Sequence, residues 1–156
     1  MKTKTISISS IFPATHNEIW TRITLLETLC YIAAPYAYFT AIDSNDELMW
    51  SEGKTTRFHL KIFGVFPMGI HSIKIIEFSK ENYRIFSNEE NQSVPIWNHT
   101  IILRPAGNGT TYYEDIVEIG AGWKTNLVCA WSKMFYRHRQ KRWHKLLNDM
   151  VPLKKL

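Results

Sequence analysis

Apolar and polar residues alternate at the start of the chain. In residues 3–12, Ile6, Ile8 and Phe12 share one parity, with Ser7 and Ser9 on the other. A period of two is that of a half-buried strand, and it slips only at Ser10 and Ile11. Pro13 ends the run. Thr15 and Glu18 then form a T-x-x-E capping box, which predicts a short helix through about Thr24. Residues 25–34 read as a second helix. Pro35 closes it and drives Ala34 towards extended backbone.

Six further strands follow, at residues 36–42, 54–63, 70–78, 83–89, 96–104 and 110–119. Ser44-Asn45-Asp46 predicts a turn, Gly64 and Pro67 a break, Lys80-Glu81-Asn82 a second turn, and Gly107-Asn108-Gly109 a tight hairpin loop. From Thr125 to about Val151 there is no Gly and only helix-compatible residues. Leu127, Trp131, Met134, Phe135, His138 and Leu146 recur there at three-to-four spacing. That predicts an amphipathic helix of about 27 residues, roughly 40 Å long.

Strand, two short helices, six strands and one long helix define an α+β protein. An antiparallel sheet with one apolar face has to be covered, and the long helix is the only element large enough to do it. A curved sheet of six to seven strands wrapped around one helix leaves room between the layers, where small molecules bind.

Parity then selects the inward side chains. In 110–119, Thr111, Tyr113, Asp115, Val117 and Ile119 form the less charged set. In 96–104, it is Trp97, His99, Ile101 and Leu103. If Ala106 pairs with Thr110, His99 faces Val117 and lies diagonal to Asp115. If the loop is two residues longer, His99 faces Asp115 directly. Both registers put imidazole and carboxylate on one inner face, about 5 to 7 Å apart at Cβ. A buried carboxylate needs a partner, and His99 is the nearest candidate. Two roles stand open for the pair. It is a hydrogen-bonded element of the wall that fixes register, or it is a polar handle for a ligand, with Tyr113 beside it.

His71, on the parity of Ile73 and Ile75, and Glu89, on that of Ile85, read as strand-end or rim residues. Glu52 falls in a bend. His138 on the helix stripe reads as core or rim. Phe58, Trp97, Trp131, Phe135 and Tyr113 read as core or cavity lining, since both roles use the same apolar surface.

Length and composition add limits. The chain has 156 residues, 45% of them hydrophobic and 21% charged, which suits a single domain over residues 1–156. Two cysteines, Cys30 and Cys129, cannot build a disulfide framework or a four-cysteine zinc site. With no secretory signal and no apolar run of membrane-spanning length, the expected compartment is the cytoplasm. The net charge of +5 is uneven: from Lys124 onward nine Lys/Arg face one acid, leaving that segment at +8 and the rest at −3. Arg137, Arg139, Lys141, Arg142 and Lys145 surround the helix instead of forming one stripe. They read as its solvated end, so nucleic acid is not the expected partner. A polyanion or membrane surface is kept as a second alternative.

The element order resembles the helix-grip fold of the START-like, or SRPBCC, superfamily, which includes birch-pollen-allergen proteins and polyketide cyclases. Local matches are Trp97-Asn98-His99, the Gly109, Thr111, Tyr113, Asp115 series, and Phe135 to Arg139. The resemblance implies a largely apolar cavity between sheet and C-terminal helix, but no single activity. A hydrophobic or amphipathic, lipid- or polyketide-like ligand is therefore expected, bound by a monomer or homodimer. The way in is expected near residues 64–69 and the short helices. The alternative is a cyclase or dehydratase with His99 and Asp115 as base pair and Tyr113 as oxyanion donor. No G-x-S-x-G, H-E-x-x-H or phosphate-loop motif is present, and no cofactor or metal is expected.

Overall fold

The computed structural model describes residues 1–42 and 49–149. The turn expected at Ser44-Asn45-Asp46 and the end of the chain, with Val151, Lys154 and Lys155, lie outside the described residues. The elements run β1 (Lys4–Phe12), α1 (His16–Ile23), α2 (Leu26–Ala33), β2 (Ala37–Ala41), β3 (Thr55–Ile62), β4 (Phe66–Ser79), β5 (Arg84–Asn91), β6 (Val94–Gly107), β7 (Thr110–Gly120), a 3-10 turn (Gly122–Lys124) and α3 (Thr125–Asn148). The strands form one seven-stranded antiparallel sheet in the order β1-β7-β6-β5-β4-β3-β2. No helix among the described residues is long and apolar enough to cross a membrane.

Local chemistry explains the boundaries. Thr15 accepts from the Glu18 amide, and the Glu18 carboxylate accepts from the Thr15 amide at 2.8 Å, closing the capping box. Ala34 ends α2 in extended backbone (ψ 146°) ahead of Pro35. Asn108 (φ 53°) and Gly109 (φ 71°) both take the positive φ that the β6–β7 hairpin demands.

Two expectations about β4 and the last hairpin change. Pro67 does not break the chain, because β4 starts at Phe66 and Pro67 pairs with Lys61. β5 stops at Asn91, opposite His71, so β4 has a neighbour on one side only at Pro67, where a missing N–H is tolerated. At the hairpin, Thr110 pairs with Gly107, not Ala106. A bulge between Pro105 and Gly107 then places His99 opposite Val117. Further extra residues fall in β4, between Pro67 and Ile70 opposite Leu60 of β3 and again at Ile76, and in β6, between Val94 and Trp97 opposite Glu90 of β5. Each extra residue bends its strand, and together they curl the sheet.

The rotation of α3 also differs. Leu127 and Met134 are exposed, while Cys129, Ser132, Phe135, Tyr136, Arg139, Gln140, Trp143 and Leu146 are buried. The largest side chains decide this. Trp143 wedges against Phe12 and Tyr113, and Leu146 joins the same cluster. Their packing turns Arg139 and Gln140 inward. α3 lies against α2, β1 and β7. It stands off the central strands, and a hollow remains there.

Candidate functional site

The hollow has a volume of about 580 Å³, within the usual range of small-molecule sites. Its walls come from α2, β2 to β6 and α3, and they are mostly aliphatic and aromatic. Its exposed lining residues are Phe63 and Phe66 of the β3–β4 hairpin and Leu127 of α3, and they mark its mouth. This mouth lies at the hairpin expected from residues 64–69.

Along α3, Leu127, Trp131, Phe135, Arg139 and Trp143 line the hollow at four-residue intervals. The row runs from Leu127, 69% exposed, to Arg139 at 7% and Trp143 at 0%. At 1.5 Å per residue, Leu127 to Arg139 spans about 18 Å from mouth to interior.

One wall carries a polar belt. His71 Nε2 lies 3.0 Å from Glu89 Oε2. Glu89 Oε1 accepts from the Ser87 hydroxyl at 2.8 Å and sits 3.6 Å from His99 Nδ1, an ion-pair distance longer than a hydrogen bond. His99 Nε2 is 2.7 Å from Asp115 Oδ1. Asp115 also accepts from Gln140 Nε2 at 2.9 Å and, weakly, from the Tyr113 hydroxyl at 3.4 Å. Gln140 in turn donates to the Ile8 carbonyl at 2.8 Å and accepts from Ser10 at 2.6 Å. The three links between strands are all diagonal: Glu89 pairs with Ile73 and Trp97, and His99 with Ser87 and Val117. Diagonal neighbours are within reach of long side chains.

Burial and charge compete at each group. Burial alone would lower the His99 pKa, but the Asp115 and Glu89 carboxylates outweigh it and the pKa is raised. Burial would raise that of Asp115, yet His99, Arg139 and Gln140 hold it below the ordinary carboxylate value. Glu89 is likewise lowered against burial by His71 and His99. Burial pushes the Tyr113 hydroxyl pKa far up, helped by Asp115. The belt therefore favours the anionic carboxylates and the imidazolium form of His99. Among the described residues no group of three or more His, Cys, Asp and Glu is placed to hold a metal ion.

The expected site residues divide. His71, Glu89, Trp97, His99, Trp131 and Phe135 line the hollow. His71 and Glu89 are wall groups, not rim residues, with side chains 7% and 9% exposed: the regular β4–β5 register pairs Ile73 with Glu89 and His71 with Asn91, which sets the two diagonally on the concave face. Phe58, Tyr113, Asp115 and His138 are not in the lining. Phe58 packs behind it on Ile73 and Ile75. Tyr113 and Asp115 lie one layer deeper, under α3, where Trp143 and Gln140 cover them. His138 meets the Ala34 carbonyl at 2.6 Å and stacks on Tyr36. Glu52 is exposed.

Sequence reasoning missed Arg139, Gln140 and Ser87. Arg139 sits in a basic run, which reads as solvated. The available signal was its place on the Trp131, Phe135, Trp143 row.

A curled antiparallel sheet gripping one long helix is the helix-grip fold. A START superfamily protein from Mycobacterium smegmatis superposes with a TM-score of 0.72 at 11% identity, covering 94% of this chain and 99% of that one. Norcoclaurine synthase from Thalictrum flavum, in complex with dopamine and hydroxybenzaldehyde, gives 0.70 at 14% identity, with 97% and 90% covered. A protein from Chromobacterium violaceum gives 0.71 at 14%, with 92% and 96% covered. At these identities the likeness is one of fold. By sequence, the chain belongs to the family described as domain of unknown function DUF8410, which matches residues 10–147. None of the curated proteins matches the sequence.

Proposed function

We propose that this protein binds a hydrophobic or amphipathic small molecule, of lipid-like or polyketide-like character, between the sheet and α3. One observation carries the reading. A hollow of about 580 Å³ has apolar walls, a single polar belt and an exposed apolar mouth. A packed core of this size would close such a volume, since voids cost contacts. The shared fold supports it: the norcoclaurine synthase structure is a complex with small aromatic molecules. Two free thiols, Cys30 and Cys129, fit action in the cytoplasm.

The cyclase reading has less support. A general base needs a free, basic nitrogen. Both ring nitrogens of His99 face carboxylates, which favour the imidazolium. The polyanion reading also loses groups. Arg139 is buried, and Arg142 stacks on Tyr31 and donates to its carbonyl at 3.1 Å.

The test is titration of the full chain with N-phenyl-1-naphthylamine, a neutral fluorophore, alongside native mass spectrometry for a co-purified molecule. Saturable one-to-one emission enhancement is expected. A flat titration would overturn the reading.

A further inference from the structure

Arg139 lines the hollow and, among the described residues, has no acceptor for its buried Nε, whereas His71, whose Nδ1 is also unpartnered, is held by Glu89 through Nε2. The Arg139 side chain comes from α3 and is 7% exposed. No carboxylate lies within ion-pair distance of it among the described residues. The two acids nearby are already engaged. Glu89 is closed by His71 and Ser87, and Asp115 by His99 and Gln140. The guanidinium lies over two rings of the preceding turn, with Cζ 4.9 Å from the Tyr136 centroid and 5.6 Å from that of Phe135. These aromatic contacts satisfy none of the five N–H donors, which lie in the guanidinium plane. A buried guanidinium left in this state is costly unless something in the hollow accepts from it.

We infer that Arg139 anchors the ligand's head, and that the hollow takes a hydrophobic carboxylic acid, bound as its carboxylate with the apolar body directed along Phe135 and Trp131 towards Leu127. A planar fork of N–H groups matches a carboxylate in two parallel hydrogen bonds. The row on α3 supplies the direction, because Leu127 is 69% exposed, Trp131 half-buried, and Phe135 and Arg139 buried. Trp131 Nε1, also buried without a partner, offers a further donor along the way. The inference rests on the small-molecule reading above and adds the chemical class of the head group.

The test uses the full chain loaded with N-phenyl-1-naphthylamine, displaced by decanoate or by 1-decanol at about pH 7.5, where the acid is ionised. The alcohol is the more hydrophobic of the two, so partitioning alone favours it. Decanoate is nevertheless expected to displace the fluorophore at least about tenfold more effectively. In Arg139→Met, which keeps the apolar stem, that ratio should fall to about threefold or less. Thermal unfolding checks that the variant folds. If it does not, Arg139→Lys, with charge but no fork, should cost at least about threefold of the ratio. Equal displacement in the wild type, or a preference that survives substitution of Arg139, overturns the inference and leaves the small-molecule reading standing. A fluorophore that never binds overturns both.

Discussion

His99 on β6 reaches Asp115 on β7 across a diagonal, with Nε2 and Oδ1 2.7 Å apart and both side chains almost fully buried. Breaking a buried pair from one side leaves a charge without compensation. His99→Gln is therefore expected to lower unfolding free energy by about 3 to 5 kcal/mol in urea titrations. The double replacement His99→Leu with Asp115→Leu should lose less than the two single changes together. Additive losses would show that the two groups act separately.

The same pair sets a pH dependence. The His99 contribution is complete below its ordinary value of 6.5 and is lost as pH rises through its raised folded value. The contributions of Asp115 and Glu89 are complete above 3.8 and 4.5, and are lost as pH falls through their lowered folded values. Arg139 faces the same acids and stays charged throughout. The windows overlap at about pH 5 to 6, where Tm should peak. In His99→Gln the fall of Tm above about pH 6.5 should flatten. An unchanged alkaline limb would remove His99 as its source.

Gln140 ties α3 to the sheet at two points, the Asp115 carboxylate and the Ile8 carbonyl. Gln140→Leu strands both acceptors and the Ser10 hydroxyl under the helix. A loss of about 1 to 3 kcal/mol is expected, since each stranded group costs its desolvation. A change within about 0.5 kcal/mol would mean that water replaces the amide.

The hollow itself is open to test by filling it. Ile101 projects from β6 into the space. Ile101→Trp adds volume where no side chain stands, so stability should hold. Overpacking of a closed core would instead cost about 1 to 3 kcal/mol. Fluorophore affinity should fall at least about tenfold, because the added ring takes the site's volume. Strong destabilisation with intact binding would argue that the layers are already in contact there.

At the mouth, Leu127 is exposed yet lines the opening. Leu127→Glu should leave stability within about 0.5 kcal/mol, as exposed substitutions usually do. Stopped-flow mixing should show a slower association rate for the neutral fluorophore, because a charge now borders its apolar path. An unaltered rate would place the way in elsewhere.

Local pattern carried much of the architecture. Period-two alternation marked β1, β3, β6 and β7, the Thr15–Glu18 box marked α1, and parity alone put His99 and Asp115 on one face. These signals are local because side-chain direction in a strand and capping at a helix start depend on near neighbours. What tertiary structure decided was non-local. The bulge before Gly107 chose the register, the pairing of β4 with β5 joined His71 to Glu89, and the packing of Trp143 and Tyr136 rolled Arg139 and Gln140 inward. A basic run on a helix looks solvated residue by residue. Only the fit of large aromatic side chains against a curled sheet determines which of its charges is taken out of water.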